Sequence, residues 1–339
     1  MAASLQPSGK HRVGTSESLY VFDVDISCES TVAFSASDHS LHLLHLHDLR
    51  ETLSFNPHSK TISCIEFSRS DPRIIYTSSA DKTAAVWDMR NPSHPSMRFT
   101  LNEEAYSVSC SFNDSLLAIA SGNGISFKDI RHGSKSSLGE YSDVHTDLVT
   151  AVKFSADHPT LLISGGEDGL VNVYDTAVTS GEAAVQSILN VDCPLRKIGF
   201  FQQEGVYCLT STGTASFWHH PSAQRIGNFT SVREDKSVDY LTDCFIEPSE
   251  ERLFLVAGKF SGEGCVLLTE PSSMIDAADL NEGHKDIIRG CSFHASSGTM
   301  VTGGEDGCVC SWDMRSVFAK DGSFDGPSDA RSKRRKTNE

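Results

Sequence analysis

Three sets of side chains that could together move protons recur along this chain. His58, Thr77 and Asp81 form one set; His145, Ser164 and Asp168 a second; His284, Thr302 and Asp306 a third. In each, the histidine precedes the aspartate by 22 or 23 residues, and an aromatic residue follows the aspartate by six: Trp87, Tyr174 and Trp312. A hydroxyl, an imidazole and a carboxylate are the parts of a nucleophile–base–orienter relay, and one copy would point to acyl transfer. Three copies point away from it. A nucleophile does not recur, whereas an internal fastener does.

The elements that must position these sets are short and β-like. Val301–Arg315 reads as strand, tight turn, strand, ending in Trp-Asp; Thr77–Arg90 and Ser164–Asp175 repeat it. Asp168-Gly169 and Asp306-Gly307 suit a two-residue hairpin turn with both residues at positive φ. Aligned on the aromatic, the slot is filled by His47, Trp87, Lys128, Tyr174, Trp218, Thr269 and Trp312. A period of roughly 40–45 residues ending in Trp-Asp is the spacing of a four-stranded blade. The expectation is an all-β, seven-bladed β-propeller with four-stranded antiparallel blades over 18–319. Residues 1–17 read as a flexible N-terminal arm and 320–339 as a disordered basic tail.

These repeats resemble the WD-repeat family, and the match covers about residues 18–316. Leu138–Asp175, Val232–Leu241, Val301–Asp306 and the basic tail are similar to one subgroup within it. The resemblance implies that aspartate, histidine, Ser/Thr and indole form a buried hydrogen-bond chain. It also implies a ring closed by pairing one terminus into the last blade, with Lys10–Thr15 and Val317–Lys320 as the candidate closing segments. The resemblance implies a propeller without known catalysis; the function expected here is a non-catalytic scaffold for protein–protein interactions, a monomer within a nuclear complex and without cofactor.

Composition agrees with a soluble globular chain: 38% hydrophobic, 22% charged, net charge −16. The acidic body argues against direct nucleic-acid binding by the propeller. No apolar run approaches a membrane span. The segment MAASLQPSGKHRVG lacks an apolar signal core, so nucleus or cytoplasm is expected rather than secretion. Ten cysteines without a C-x-x-C pair read as reduced thiols. Cys308/Cys310 and His45/His47 each share a strand face, but two donors do not make a metal site.

Two surfaces are candidate partner sites. Lys60, Lys82, Asp147, Glu167, Asp286 and Glu305 flank the His and Asp markers and are expected to face solvent. Asp-x-Arg follows the aromatic slot at Asp48/Arg50, Asp88/Arg90, Asp129/Arg131 and Asp313/Arg315, in blades one, two, three and seven, which are ring neighbours. Trp87–Arg90 and Trp312–Arg315 resemble the box of substrate receptors that dock on the cullin-4 ubiquitin ligase adaptor, the alternative function. In the tail, Arg331, Lys333, Arg334, Arg335 and Lys336 form a candidate nuclear import signal.

Overall fold

A computed structural model describes residues 2–14, 19–131 and 137–319. Seven antiparallel sheets follow one another along the chain. Their first strands are Val21–Ile26, Ile62–Phe67, Ala105–Cys110, Val149–Phe154, Leu195–Phe201, Tyr240–Glu247 and Ile288–His294. One central cavity of about 310 Å³ touches the first strand of every blade, so the blades form a ring around a channel.

No blade buries its own apolar surface alone. The cores lie between neighbours: Ala118, Ile125 and Phe127 of blade three pack with Val149, Val152 and Phe154 of blade four. Val301 and Val309 of blade seven join Val21, Val32 and Leu44 of blade one. Such sidewise burial is what holds a radial repeat together.

The N-terminus closes the ring, which corrects the expectation of a loose arm over 1–17. Gly9–Arg12 is the outer strand of blade seven, antiparallel to Cys308–Asp313, with Lys10 opposite Cys310 and Arg12 opposite Cys308. Ala3–Leu5 adds a parallel fifth strand to blade six, outside Met274–Leu280. An edge strand needs only its backbone groups to pair, so GKHR serves despite its charges. The rival segment is no strand. Arg315–Phe318 is a helical turn whose Phe318 ring packs on Phe254 and Phe293 at 5.4 and 5.7 Å.

Two local readings are also corrected. The aromatic slot of blade one is Leu44, which pairs with Val32 as Trp87 pairs with Ile75. His47 lies beyond that strand and is exposed. In the Asp-Gly turns only the glycine is left-handed, Gly169 at φ 76° and Gly307 at φ 68°; Lys82 takes that place in blade two at φ 65°. The aspartate stays on the right-handed side because its carboxylate accepts the N–H two residues on, at 3.0–3.1 Å from Thr83, Leu170 and Cys308. The tail 320–339 lies outside the described residues.

Candidate functional site

The three repeated sets assemble as hydrogen-bond chains inside their blades. In blade seven the Trp312 indole N–H donates to Thr302 Oγ1 at 2.8 Å, and that hydroxyl meets His284 Nε2 at 2.8 Å. His284 Nδ1 meets Asp306 at 3.0 Å. Blade two repeats this through Trp87, Thr77, His58 and Asp81. Blade four uses Tyr174, Ser164, His145 and Asp168. A hydroxyl that receives the indole N–H donates its own proton to Nε2, which leaves Nδ1–H for the carboxylate. The network therefore assigns a neutral Nδ1–H imidazole.

Electrostatics fit that assignment. Burial pushes His58 below its ordinary pKa. Burial would raise Asp81 and Asp306, but hydrogen bonds outweigh it and hold both at about 2: from Thr83, Ser59 and His58 to Asp81, and from His284, Lys285 and Cys308 to Asp306. Asp168 is lowered in the same way. Close approach is required as well. A Cβ on Gly304 would lie 2.6 Å from His284 Nδ1, so a side chain there would displace the imidazole. Thr77, Ser164 and Thr302 are each 0% exposed, and no substrate can reach such a hydroxyl.

The outward-facing residues divide between two faces. The histidine loops, the aspartate turns and the starts of the first strands share one face; the ends of the third strands, with Asp-x-Arg, form the other. On the first, Lys60, Lys82, Asp147 and Glu167 are exposed as expected. Asp286 and Glu305 are half-buried instead. Asp286 accepts the Ile287 N–H at 2.8 Å, and Glu305 is ion-paired to Arg289.

Sequence reasoning missed the feature that dominates this face. Every first strand carries a bulge near its start, at Phe22, Ser63, Tyr106, Thr150, Arg196, Thr242 and Arg289 in blades one to seven. A bulge leaves one residue out of the ladder and re-aims its side chain. The residue types alternate. In blades two, four and six, Ser63, Thr150 and Thr242 donate to the next blade's backbone, at Ala105, Leu195 and Ile288. In blades one, three, five and seven the residue is aromatic or arginine, and half-buried. The only local signal, in blades one, three, five and seven, was a bulky residue one step after the strand's first apolar position.

On the opposite face each arginine folds back on its own aspartate. Arg90 Nε lies 2.8 Å from Asp88, Arg131 Nη2 2.6 Å from Asp129 and Arg315 Nη2 2.6 Å from Asp313; the Arg50–Asp48 contact is looser, at 3.9 Å. The Arg90 hydrogen bonds hold Asp88 at about 2. These arginine side chains are 55–70% exposed, so each guanidinium keeps a free edge.

A charged cluster lines the channel. Lys197 lies between Asp23 and Asp243, and Lys153 Nζ lies 2.7 Å from Glu66. Arg69 reaches from blade two to the Phe154 and Ser155 carbonyls of blade four. Cys64, Cys244 and Cys291 also line it, and burial raises all three thiols; Cys64 rises to about 12. Among the described residues no group of His, Cys, Asp and Glu is arranged to hold a metal ion.

Comparison with known proteins bears on this geometry. The WD domain, G-beta repeat pattern matches residues 49–88, 136–175 and 279–313, the three marked blades. WD repeat-containing protein GTS1 of Arabidopsis thaliana is 30% identical over 280 residues, 75% of this chain and 71% of that protein. This chain belongs to the WD-repeat family. The WD repeat-containing protein 89 homolog of Dictyostelium discoideum is 24% identical over 308 residues, 87% of this chain and 83% of that one. A chain of a mitotic checkpoint complex crystal structure superposes with TM-score 0.75 at 13% identity, covering 91% of each chain, which speaks to the fold alone.

Proposed function

We propose that this WD-repeat protein is a non-catalytic scaffold that holds protein partners within a nuclear complex, chiefly through the face bearing the first-strand bulges. The observation that carries this reading is the set of large side chains there: Phe22, Tyr106, Arg196 and Arg289 ring one mouth. Aromatic residues and arginine dominate binding hot spots, because they combine area with few lost rotamers and multiple donors. The triad-like sets support the non-catalytic part, since their hydroxyls are spent on the indole and imidazole they bridge. A rigid ring with loops on two faces can hold two partners at once. The nuclear part rests on the basic run Arg331–Lys336.

A second reading is favoured by the free guanidinium edges of Arg50, Arg90, Arg131 and Arg315 on the opposite face, which would dock on a cullin-4 ligase adaptor. Affinity purification of the full-length chain with quantitative mass spectrometry separates the two. Loss of partners from Tyr106→Ala/Arg289→Ala supports the first; loss of a ligase adaptor from Arg90→Ala/Arg315→Ala supports the second. Partners retained by both variants contradict docking by either face. Attaching residues 320–339 to a cytosolic reporter tests import, and a reporter that stays cytosolic counts against it.

A further inference from the structure

Ala3–Leu5 and Gly9–Arg12 both join sheet edges, but they are held unequally. Gly9–Arg12 pairs antiparallel from Gly9 opposite Ser311 to Arg12 opposite Cys308. It is flanked by the Ser8 N–H bond to Ser311 at 2.7 Å and the Val13 N–H bond to Gly307 at 2.9 Å, and Val13 is 2% exposed. Ala3–Leu5 pairs in parallel, Ala3 with Ala278, Ser4 with Asp279 and Leu5 with Leu280. Asn281 adds two bonds, its N–H to the Leu5 carbonyl at 3.0 Å and its side-chain amide to Ser4 Oγ at 3.1 Å. Parallel pairs are weaker per residue, and Ala3 and Leu5 are only half-buried. Pro7, between the two strands, lacks the N–H that would continue a ladder. The first strand can therefore leave while the second keeps the ring closed.

What the first strand covers is a longer edge than it fills. The outer strand of blade six is Met274–Leu280, and Ala3–Leu5 lies along its last part, from Ala278 on. Met274, Ile275 and Asp276 pair inward with Thr269, Leu268 and Leu267, and among the described residues no strand lies on their outer side. Ile275 is 45% exposed there. At its start the edge meets a cleft of about 270 Å³ whose apolar lining is Phe229, Val232 and Met274. An open edge is a template for an added strand. The chain itself shows the chemistry that fits: Ala3 and Leu5 pack on the core shared by blades six and seven, with exposed Ser4 between them. The Leu5 carbonyl accepts from Asn281, so residue 5 turns its backbone groups towards blade six.

We propose that the outer edge of blade six is a strand-addition site for a protein partner, and that Ala3–Leu5 is its detachable cover. The occupant is an extended segment running parallel to Met274–Leu280. Its apolar side chains stand two apart, in the places of Ala3 and Leu5, and another nearer its N-terminus enters the cleft at Met274. Such a segment pairs along the whole edge, whereas the cover pairs along part of it. The cover competes by proximity, since its tether to Gly9 holds it at an effective concentration of about millimolar. Segments that are short or lack the alternation do not displace it. The site lies on the rim, apart from both mouths, and goes beyond the scaffold reading without relying on either face.

The test compares the full-length parent with full-length Ala3→Asp/Leu5→Asp, which leaves the edge bare. In the parent, the Leu5 amide should exchange with solvent at least about tenfold faster than the slowest amide of Gly9–Arg12; equal protection would overturn the detachable cover. A random peptide library displayed on phage is then selected on the bare variant, and peptides with apolar residues two apart are expected. A synthetic peptide from that pool should bind the parent at least about tenfold more weakly, because the cover lowers the competent fraction. It should lose binding when the backbone amide of its second apolar residue is N-methylated, and it should slow amide exchange across Met274–Leu280. Selection of no such peptide, equal binding to the parent, or protection elsewhere would overturn the proposal. A bare variant that dimerises would assign the edge to a second copy and overturn the partner. Should the variant melt well below the parent, deletion of residues 1–7 supplies the bare edge instead. None of these results bears on the partners shed by Tyr106→Ala/Arg289→Ala, so the scaffold reading is tested separately.

Discussion

Lys197 of blade five carries its ammonium to 3.6 Å from the Asp23 carboxylate of blade one. These blades are not neighbours, so the contact crosses the channel. Lys197 also reaches Asp243 of blade six at 3.4 Å. The Asp23 charge, above all, keeps it protonated against the cost of burial. Replacing Lys197 by Met would leave two buried carboxylates facing each other. The expected loss in unfolding free energy is about 2–4 kcal/mol, read from urea melts. Adding Asp23→Asn and Asp243→Asn should recover much of it. A Lys197→Met protein that melts like the parent would show that the strut contributes nothing.

Asp25, in the same channel, behaves oppositely. Burial raises its pKa to about 6, against the Lys153 charge and the Phe67 N–H that favour the anion; Glu66 adds to the rise. Its carboxylate accepts Phe67 N–H at 2.8 Å and Ser292 Oγ at 3.2 Å. The folded value lies above the unfolded one, about 3.9, so the folded state binds the extra proton between them. That stabilisation is complete below the unfolded value and is lost as pH rises through 6. Asp25→Asn should therefore raise the melting temperature by roughly 2–4 °C at pH 7.5 and change it little at pH 4.5. An equal effect at both pH values would contradict this.

The N-terminal closure predicts an uneven response to truncation. Removing residues 1–7 takes away the parallel fifth strand of blade six, Ala3–Leu5, and should cost little. Removing residues 1–13 also takes Gly9–Arg12 and exposes the edge of Cys308–Asp313. It loses the Val13 N–H bond to Gly307 and the buried Val13 side chain as well. The longer truncation should lower the melting temperature well beyond the shorter and accelerate amide exchange across Cys308–Ser311. Similar melts for both would argue against closure by this strand.

The repeat was legible where its markers survive. Asp81, Asp168 and Asp306, six residues before an aromatic, fix turn, strand and fastener together, and three such copies define the ring. Blade one was misaligned because nothing polar marks Leu44, so the exposed His47 took its place. The closing strand was legible only as one of two candidates, Lys10–Thr15, because its half-buried positions are Gly9 and His11 and carry no apolar alternation. The channel charges were invisible for another reason. Asp23, Glu66, Lys153, Lys197 and Asp243 come from five blades, and ring closure alone brings them together. The bulges belong to the same class, since a bulge shows in the register and not in composition.

The central claim is that the Thr/Ser–His–Asp sets fasten blades and perform no chemistry. Its most direct measurement is a double-mutant cycle in blade seven, with unfolding free energies for His284→Ala, Asp306→Ala and the pair. Each single change should cost about 1–3 kcal/mol, because it orphans a buried partner. The pair should cost clearly less than the sum, because both remove one connected chain. Single variants as stable as the parent, or strictly additive costs, would contradict the account.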